Sequence, residues 1–169
     1  MINKKMQDAL NGQINAELYS AYLYSAMEAY FHSLNFQGFA KWMKVQAQEE
    51  MTHASKIYDF VNDRGGRVIL EGIAKPPAEW KSPLAVFEAA YKHEQKVTGL
   101  INDLVELAAK EKDHATGIFL QWFVTEQVEE EKNAVEIVGK LQAIKDSAGS
   151  MYMLDKELGK RTVEAEGGE

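Results

Sequence analysis

The chain has 169 residues, 46% hydrophobic and 27% charged, which suits one folded domain with a sizeable core rather than a disordered segment. It has no cysteine, so disulfides, thiolate metal sites, iron–sulfur clusters and a cysteine nucleophile are excluded, and a reducing compartment suits it. A net charge of −7 argues against nucleic acid and for cations as partners.

Residues Met1 to Lys5 lead into an amphipathic pattern with no signal-peptide apolar core, and no apolar run is long enough to cross a bilayer. A cytoplasmic protein without a membrane partner is expected. A first helix is predicted over about residues 4–34. Leu10, Ile14, Ala21, Tyr24 and Phe31 mark one face, with Glu17 among them. Tyr19, Tyr22, Leu23, Met27 and Tyr30 point elsewhere, so the helix is apolar over more than one stripe and self-association is expected to cover it.

Asn35 is the predicted turn into a second helix, 36–64, stopped by Gly65-Gly66. Its buried face runs through Phe39, Met43, Ala47, Ala54, Ile57 and Val61. At 100° per residue, Glu50 sits in the middle of that face, with His53 one turn on. Residues 65–82 hold two of the three prolines and a short extended piece, Val68 to Leu70. Ser82-Pro83 reads as an N-cap followed by proline at the first helical position, opening a third helix over 83–112. Glu94 lies on its apolar face with Phe87, Ala90, Ile101 and Val105. Asp113 is the predicted cap of a fourth helix, 114–145, whose apolar face carries Gln127 and Glu130. Ser147 to Ser150 reads as a break, residues 151–161 as a short fifth helix and 162–169 as a loose tail.

Four long helices predict an all-α four-helix bundle in a single domain. The short joints make the first and second helices, and the third and fourth, antiparallel neighbours. The joint over 65–82 reaches about 55 Å when extended, against roughly 43 Å for a helix of nearly thirty residues. One long crossover with parallel middle helices is therefore expected; a coiled surface loop is the alternative.

Measured from their turns, Glu17 and Glu50 are level to within about two residues, as are Glu94 and Glu130, or roughly 3 Å of rise. Four buried carboxylates and one imidazole thus converge on one layer. They cannot all be ionised without counter-charge, and no lysine or arginine lies on these faces nearby. Two divalent cations balance the four charges, with Glu50 placed to bridge them. The oxygen-rich set with a single imidazole suits iron or manganese better than structural zinc. Tyr24, two turns from Glu17, is read evenly as core packing or as a group that donates a hydrogen bond to a ligand or an electron to bound oxygen. Trp122 is read as packing.

In order and with this spacing, Gln13 to Tyr24, Gln48 to His53, Gly65 to Arg67, Phe87 to Glu94, Leu120 to Glu130 and Leu154 to Leu158 make a strong set. Over essentially its whole length the chain resembles the prokaryotic non-haem ferritins, ferritin-like bundles with one long crossover and a short fifth helix. The resemblance implies one iron on Glu17, Glu50 and His53 and another on Glu50, Glu94 and Glu130, with Gln127 close to the centre. It implies a third iron site at Glu49, Glu126 and Glu129, residues otherwise read as a solvated helix edge. It also implies a hollow shell of twenty-four identical subunits, with the fifth helix at the fourfold axes and the first helix and Val68 to Leu70 facing neighbours.

The fourth helix departs from the haem-carrying and oxygenase-type patterns. Where those have a second Glu-x-x-His it has Glu126-Gln127-Val128-Glu129, with no histidine. His93 and His114 are out of phase with the site, and His32 lies near a helix end. The second metal is then held by oxygen alone, as suits a transient di-iron centre through which Fe(II) passes. Met51 matches a haem-ligating position in bacterioferritins, and helix phase turns it away from the core, toward a neighbour; haem is the less favoured expectation. The expected function is ferroxidase activity with dioxygen or peroxide as oxidant, and storage of Fe(III) as an oxyhydroxide mineral. A haem-carrying storage protein, a di-iron oxidase or peroxidase without storage, and a purely structural bundle are the competing readings.

Overall fold

The computed structural model describes residues 1–145 and 147–163, so the tail read from Thr162 lies outside the described residues beyond Val163. Its elements are α1 (Lys4–Ser33), α2 (Gln37–Asp63), α3 (Pro83–Lys110), α4 (His114–Ile144) and α5 (Ala148–Leu158). No strand occurs among the described residues. The caps are local chemistry. Asn3, Ser82 and Asp113 each accept a hydrogen bond from the backbone three residues on, satisfying a first-turn N–H that the helix itself leaves unpaired. Asn35 makes the α1–α2 turn at φ 60°, and Gly65 ends α2 at φ 70°, a conformation that favours glycine.

The fifth helix begins and ends three residues before its predicted span. Ser147, read as part of a break, is its cap, because the hydroxyl accepts from the Ser150 N–H. The predicted Val68 to Leu70 segment is extended but pairs with no strand. Side chains of α1 bond its backbone instead. Gln7 accepts from the Arg67 N–H, Asn11 bonds Arg67 and Ile69, and Asn15 donates to Glu71 and Gly72. At its far end the Tyr30 hydroxyl donates to the Trp80 carbonyl at 2.7 Å.

The joint therefore follows α1 from Gln7 to Tyr30, the length of the bundle. The coiled-loop alternative is excluded, and α2 and α3 run parallel, both antiparallel to α1. The breadth expected to be covered by self-association is in part covered within the chain. Leu23 and Met27 are buried in the chain's own core, and Tyr30 packs edge-on against Trp80. Flanked by α2, α3 and the crossover, α1 buries more than one stripe; Tyr22, 52% exposed, remains uncovered.

Two apolar clusters make the core. One gathers Phe31, Phe39, Met43 and Phe87; the other gathers Met6, Leu10, Ile57, Ile101 and Leu120. Between them the buried residues turn polar. Arg64 ties the end of α2 to the start of α4 through Asp113 at 3.0 Å.

Helix α5 closes the Phe31–Phe39 end. Its Asp155 carboxylate accepts the Phe39 N–H at 2.8 Å, capping α2, whose own N-cap residue makes no side-chain bond. Gly38 permits this approach, since a Cβ there overlaps the Asp155 carbonyl. Gly38→Ala is expected to dislodge α5. Overpacking of this kind costs about 1–3 kcal/mol, so amide hydrogen exchange across Ala148–Leu158 should accelerate about ten- to a hundredfold. Unchanged protection there would show that α5 does not depend on the contact.

Candidate metal centre

The polar layer draws one carboxylate from each long helix. Glu17, Glu50, Glu94 and Glu130 are each under 5% exposed, and His53 is 3% exposed. Their placement follows from helix phase, since the same rows that carry the apolar clusters pass through these positions. Glu17, Glu50 and His53 offer ligand atoms within 4.8 Å of one another, and so do His53, Glu126 and Glu130. His53 stands between the two groups. Its Nδ1 lies 3.3 Å from Glu50 and its Nε2 4.0 Å from Glu126.

Three glutamine amides support the acids. Gln13 donates to Glu17 at 2.8 Å. Gln46 donates to Glu130 at 2.7 Å and to Glu50 at 3.4 Å. Gln127 donates to Glu94 at 3.2 Å. The sequence reading missed Gln13 and Gln46, although each lies four residues before a buried glutamate, one helical turn away. The Tyr24 hydroxyl donates to Glu94, on α3, one of the two readings the sequence left open.

Electrostatically the layer is poised for cations. Burial raises the pKa of Glu17, and the Glu50 charge adds to the rise. Burial raises Glu50 in the same way, with Glu94 and Glu130 contributing. Glu94 is also raised by burial, against the pull of Tyr24 and Gln127. Glu130 is pushed up to about 8, chiefly by burial and then by Glu94. Among the described residues, Glu17 Oε2 is the one buried side-chain polar atom without a hydrogen-bond partner. A carboxylate oxygen with no donor, beside the Glu50 carboxyl and the His53 imidazole, can be satisfied by a proton shared with Glu50 or by a metal ion, and the ion also supplies the positive charge the layer lacks.

Neither the predicted second set, Glu50, Glu94 and Glu130, nor the three acids predicted as a further iron site is among the groups whose ligand atoms lie within 4.8 Å of one another. Arg161, just beyond α5, takes Glu49 at 2.5 Å. Glu126 turns toward His53, and Glu129 is exposed. Arg161 is the cation the sequence reading did not place near the layer. His93 faces away from the metal ligands. Its Nε2 bonds Ser20 Oγ at 2.8 Å, and burial lowers its pKa to about 4. Trp122 packs edge-on against His53 at 5.3 Å.

Residues 7–144 match the ferritin-like domain family. A bacterial non-haem ferritin of Bacteroides fragilis is 46% identical over 161 residues, covering 95% of this chain and all of that one. The chain belongs to the prokaryotic non-haem ferritins. A bacterial non-haem ferritin of Staphylococcus saprophyticus is 42% identical, with 97% of this chain and 98% of the relative covered. Among solved structures, a ferritin from the hyperthermophilic archaeon Archaeoglobus fulgidus, described as open-pore, is 56% identical with a TM-score of 0.95. It covers 96% of this chain, and all of that chain is matched. The ferritin bundle and its crossover therefore extend over nearly all of this sequence. No helix among its described residues is long and apolar enough to cross a membrane.

Proposed function

We propose that this ferritin oxidises ferrous iron at the buried carboxylate layer and stores the ferric product inside a shell of twenty-four copies. The observation that supports this most is a buried layer of four acids, all with raised pKa values, in which one Glu17 oxygen meets no donor. Such a layer is unfavourable to the fold by itself and is accounted for by cations that come and go.

Ferrous iron is the substrate. Glu17, Glu50 and His53 would take one ion and Glu50, Glu94 and Glu130 the other, with Glu50 shared. Each ion replaces protons that burial keeps on the carboxyls. Two ferrous ions give one electron each to dioxygen, which leaves as peroxide after taking up two protons; peroxide itself is the other oxidant the site admits. Hard carboxylate oxygens favour ferric over ferrous iron, which drives the oxidation. Tyr24 and Gln127 hold the two oxygens of Glu94 and so fix the ligand whose metal lacks an imidazole. The all-oxygen second position suits release of product rather than a permanent cofactor. Glu126, facing His53 and Glu130, would receive the ferric ion on its way inward, with Glu49 and Glu129 further along the same route. The relatives compared above are named non-haem ferritins, so the comparisons do not favour the haem-carrying alternative.

The test is ferrous iron added in air to purified protein, with oxygen uptake and absorbance followed and particle mass measured. Two ferrous ions oxidised per dioxygen in the first turnover, on a particle of about twenty-four chains, is the expected result. Oxidation no faster than in buffer removes the enzymatic reading, and a mass of one or two chains removes the storage shell.

A further inference from the structure

The residue that follows α5 and its short turn reaches back to the metal layer. Arg161 donates from Nη1 to the Gln46 carbonyl oxygen at 2.7 Å and from Nη2 to Glu49 at 2.5 Å. Its guanidinium also lies over the Trp42 ring, 4.4 Å from the centroid. Gln46 is fully buried. Its amide nitrogen is the group that bonds Glu130 and Glu50. A continuous path therefore runs from Arg161 through one amide to two of the four carboxylates.

A primary amide has one accepting end and one donating end. A guanidinium only donates, so once it holds the Gln46 oxygen the nitrogen must face the acids. Two charge-assisted bonds and an indole beneath leave the guanidinium little freedom of its own. Without Arg161 the amide oxygen is buried and unpaired, which costs free energy that rotation of the amide relieves. Rotation takes the donor away from Glu130 and Glu50, and partners of metal-binding groups set how those groups are aimed.

We infer that Arg161 is a positioning residue for the metal centre, acting through Gln46 to hold Glu130 and Glu50 in register for the ion they share. This rests on the reading of the layer as a metal site. It also gives α5 a role inside the subunit, because the Asp155 contact with α2 is what brings Arg161 to Gln46.

The experiment is a Co(II) titration of the assembled protein, followed by calorimetry and by the absorption bands of bound Co(II), with melting temperature recorded for each variant. The unsubstituted protein is expected to bind two ions per chain. Arg161→Ala should weaken the second by about tenfold, in line with the roughly 10–100-fold effect of losing an outer partner, and should alter its absorption band. Arg161→Lys keeps the charge but not the two-pronged geometry, so it should fall with the alanine variant. Gln46→Ala should weaken the same step, and adding Arg161→Ala to it should change nothing more, since residues acting in series are not additive.

Three results overturn the inference: binding in Arg161→Ala equal to the unsubstituted protein even with a lowered melting temperature, full rescue by lysine, or effects of Arg161 and Gln46 that multiply. Failure of the unsubstituted protein to bind Co(II) at the layer is a separate result, and it overturns the metal reading itself.

Discussion

Glu50→Gln is expected to abolish fast iron oxidation and, in the same molecule, to raise the melting temperature of the metal-free protein. The two effects have one cause. Glu50 is the carboxylate nearest the middle of the layer, buried and raised in pKa by burial, Glu94 and Glu130. It is also the ligand both ions would share. Losing an outer partner of a metal ligand costs about 10–100-fold, so losing the shared ligand should slow oxidation by more than about a hundredfold. In the metal-free state the same carboxyl is a buried group among like groups. At neutral pH the fold must keep a proton on that carboxyl which the unfolded chain releases; an amide avoids this cost, so the variant should melt higher by several degrees for a chain of this size. The amide keeps the volume and can still accept from Gln46. Stopped-flow oxidation and scanning calorimetry with a chelator present measure the two halves. A variant that oxidises iron normally, or one that melts lower, would show that Glu50 serves the fold rather than the metal.

Much of this is legible in the sequence. Helix phase alone puts Glu17, Glu50, Glu94 and Glu130 on apolar faces, and counting from the Asn35 and Asp113 turns puts them level. Both are local properties of regular helices. The α5 boundary was misplaced because Ser147, Gly149 and Ser150 look like a loop by composition, whereas one hydroxyl decides that they form a capped first turn. The crossover was reachable by length but not decided by it. What decides it is Asn11 and Asn15 on α1 bonding a backbone some 56 residues away. How much of the breadth of α1 one chain covers by itself is not legible, because that depends on the crossover lying alongside. Arg161 was out of reach of any periodic argument. It lies on no long helix, and 115 positions separate it from Gln46. Gln13 and Gln46 were different, since their spacing before Glu17 and Glu50 was visible; a glutamine one turn before a buried glutamate is a signal worth reading.

Raising the pH from about 6.5 to 8 should destabilise the metal-free protein and tighten its hold on divalent ions. The sign follows from where protons sit. Glu17, Glu50 and Glu94 are raised above the ordinary glutamate value of 4.5 chiefly by burial, and Glu130 is raised to about 8. The folded chain thus keeps protons that the unfolded chain has released. A group of this kind contributes its full stability below its unfolded pKa and loses it as pH rises through the folded value. Two other groups mark out the window. His93, lowered from 6.5 to about 4 by burial and the charge of Lys96, loses its contribution as pH falls through that range, so it works against the glutamates there but not above it. Asp113 is held below 3.8 despite some burial by its bonds to Thr116 and Arg64, and it matters only in stronger acid. Between about 6.5 and 8 the raised glutamates therefore set the slope. Divalent ions displace the same protons, so binding at pH 7 should release protons to the buffer, and Glu50→Gln should release fewer. Zn(II) titrations in two buffers of different ionisation enthalpy count the protons, and chemical denaturation of the metal-free protein across the window gives the slope. If the heats are indifferent to buffer and stability climbs from pH 6.5 to 8, the layer's carboxylates are already ionised and hydrated, and the charge that metal ions are invoked to balance is balanced by water.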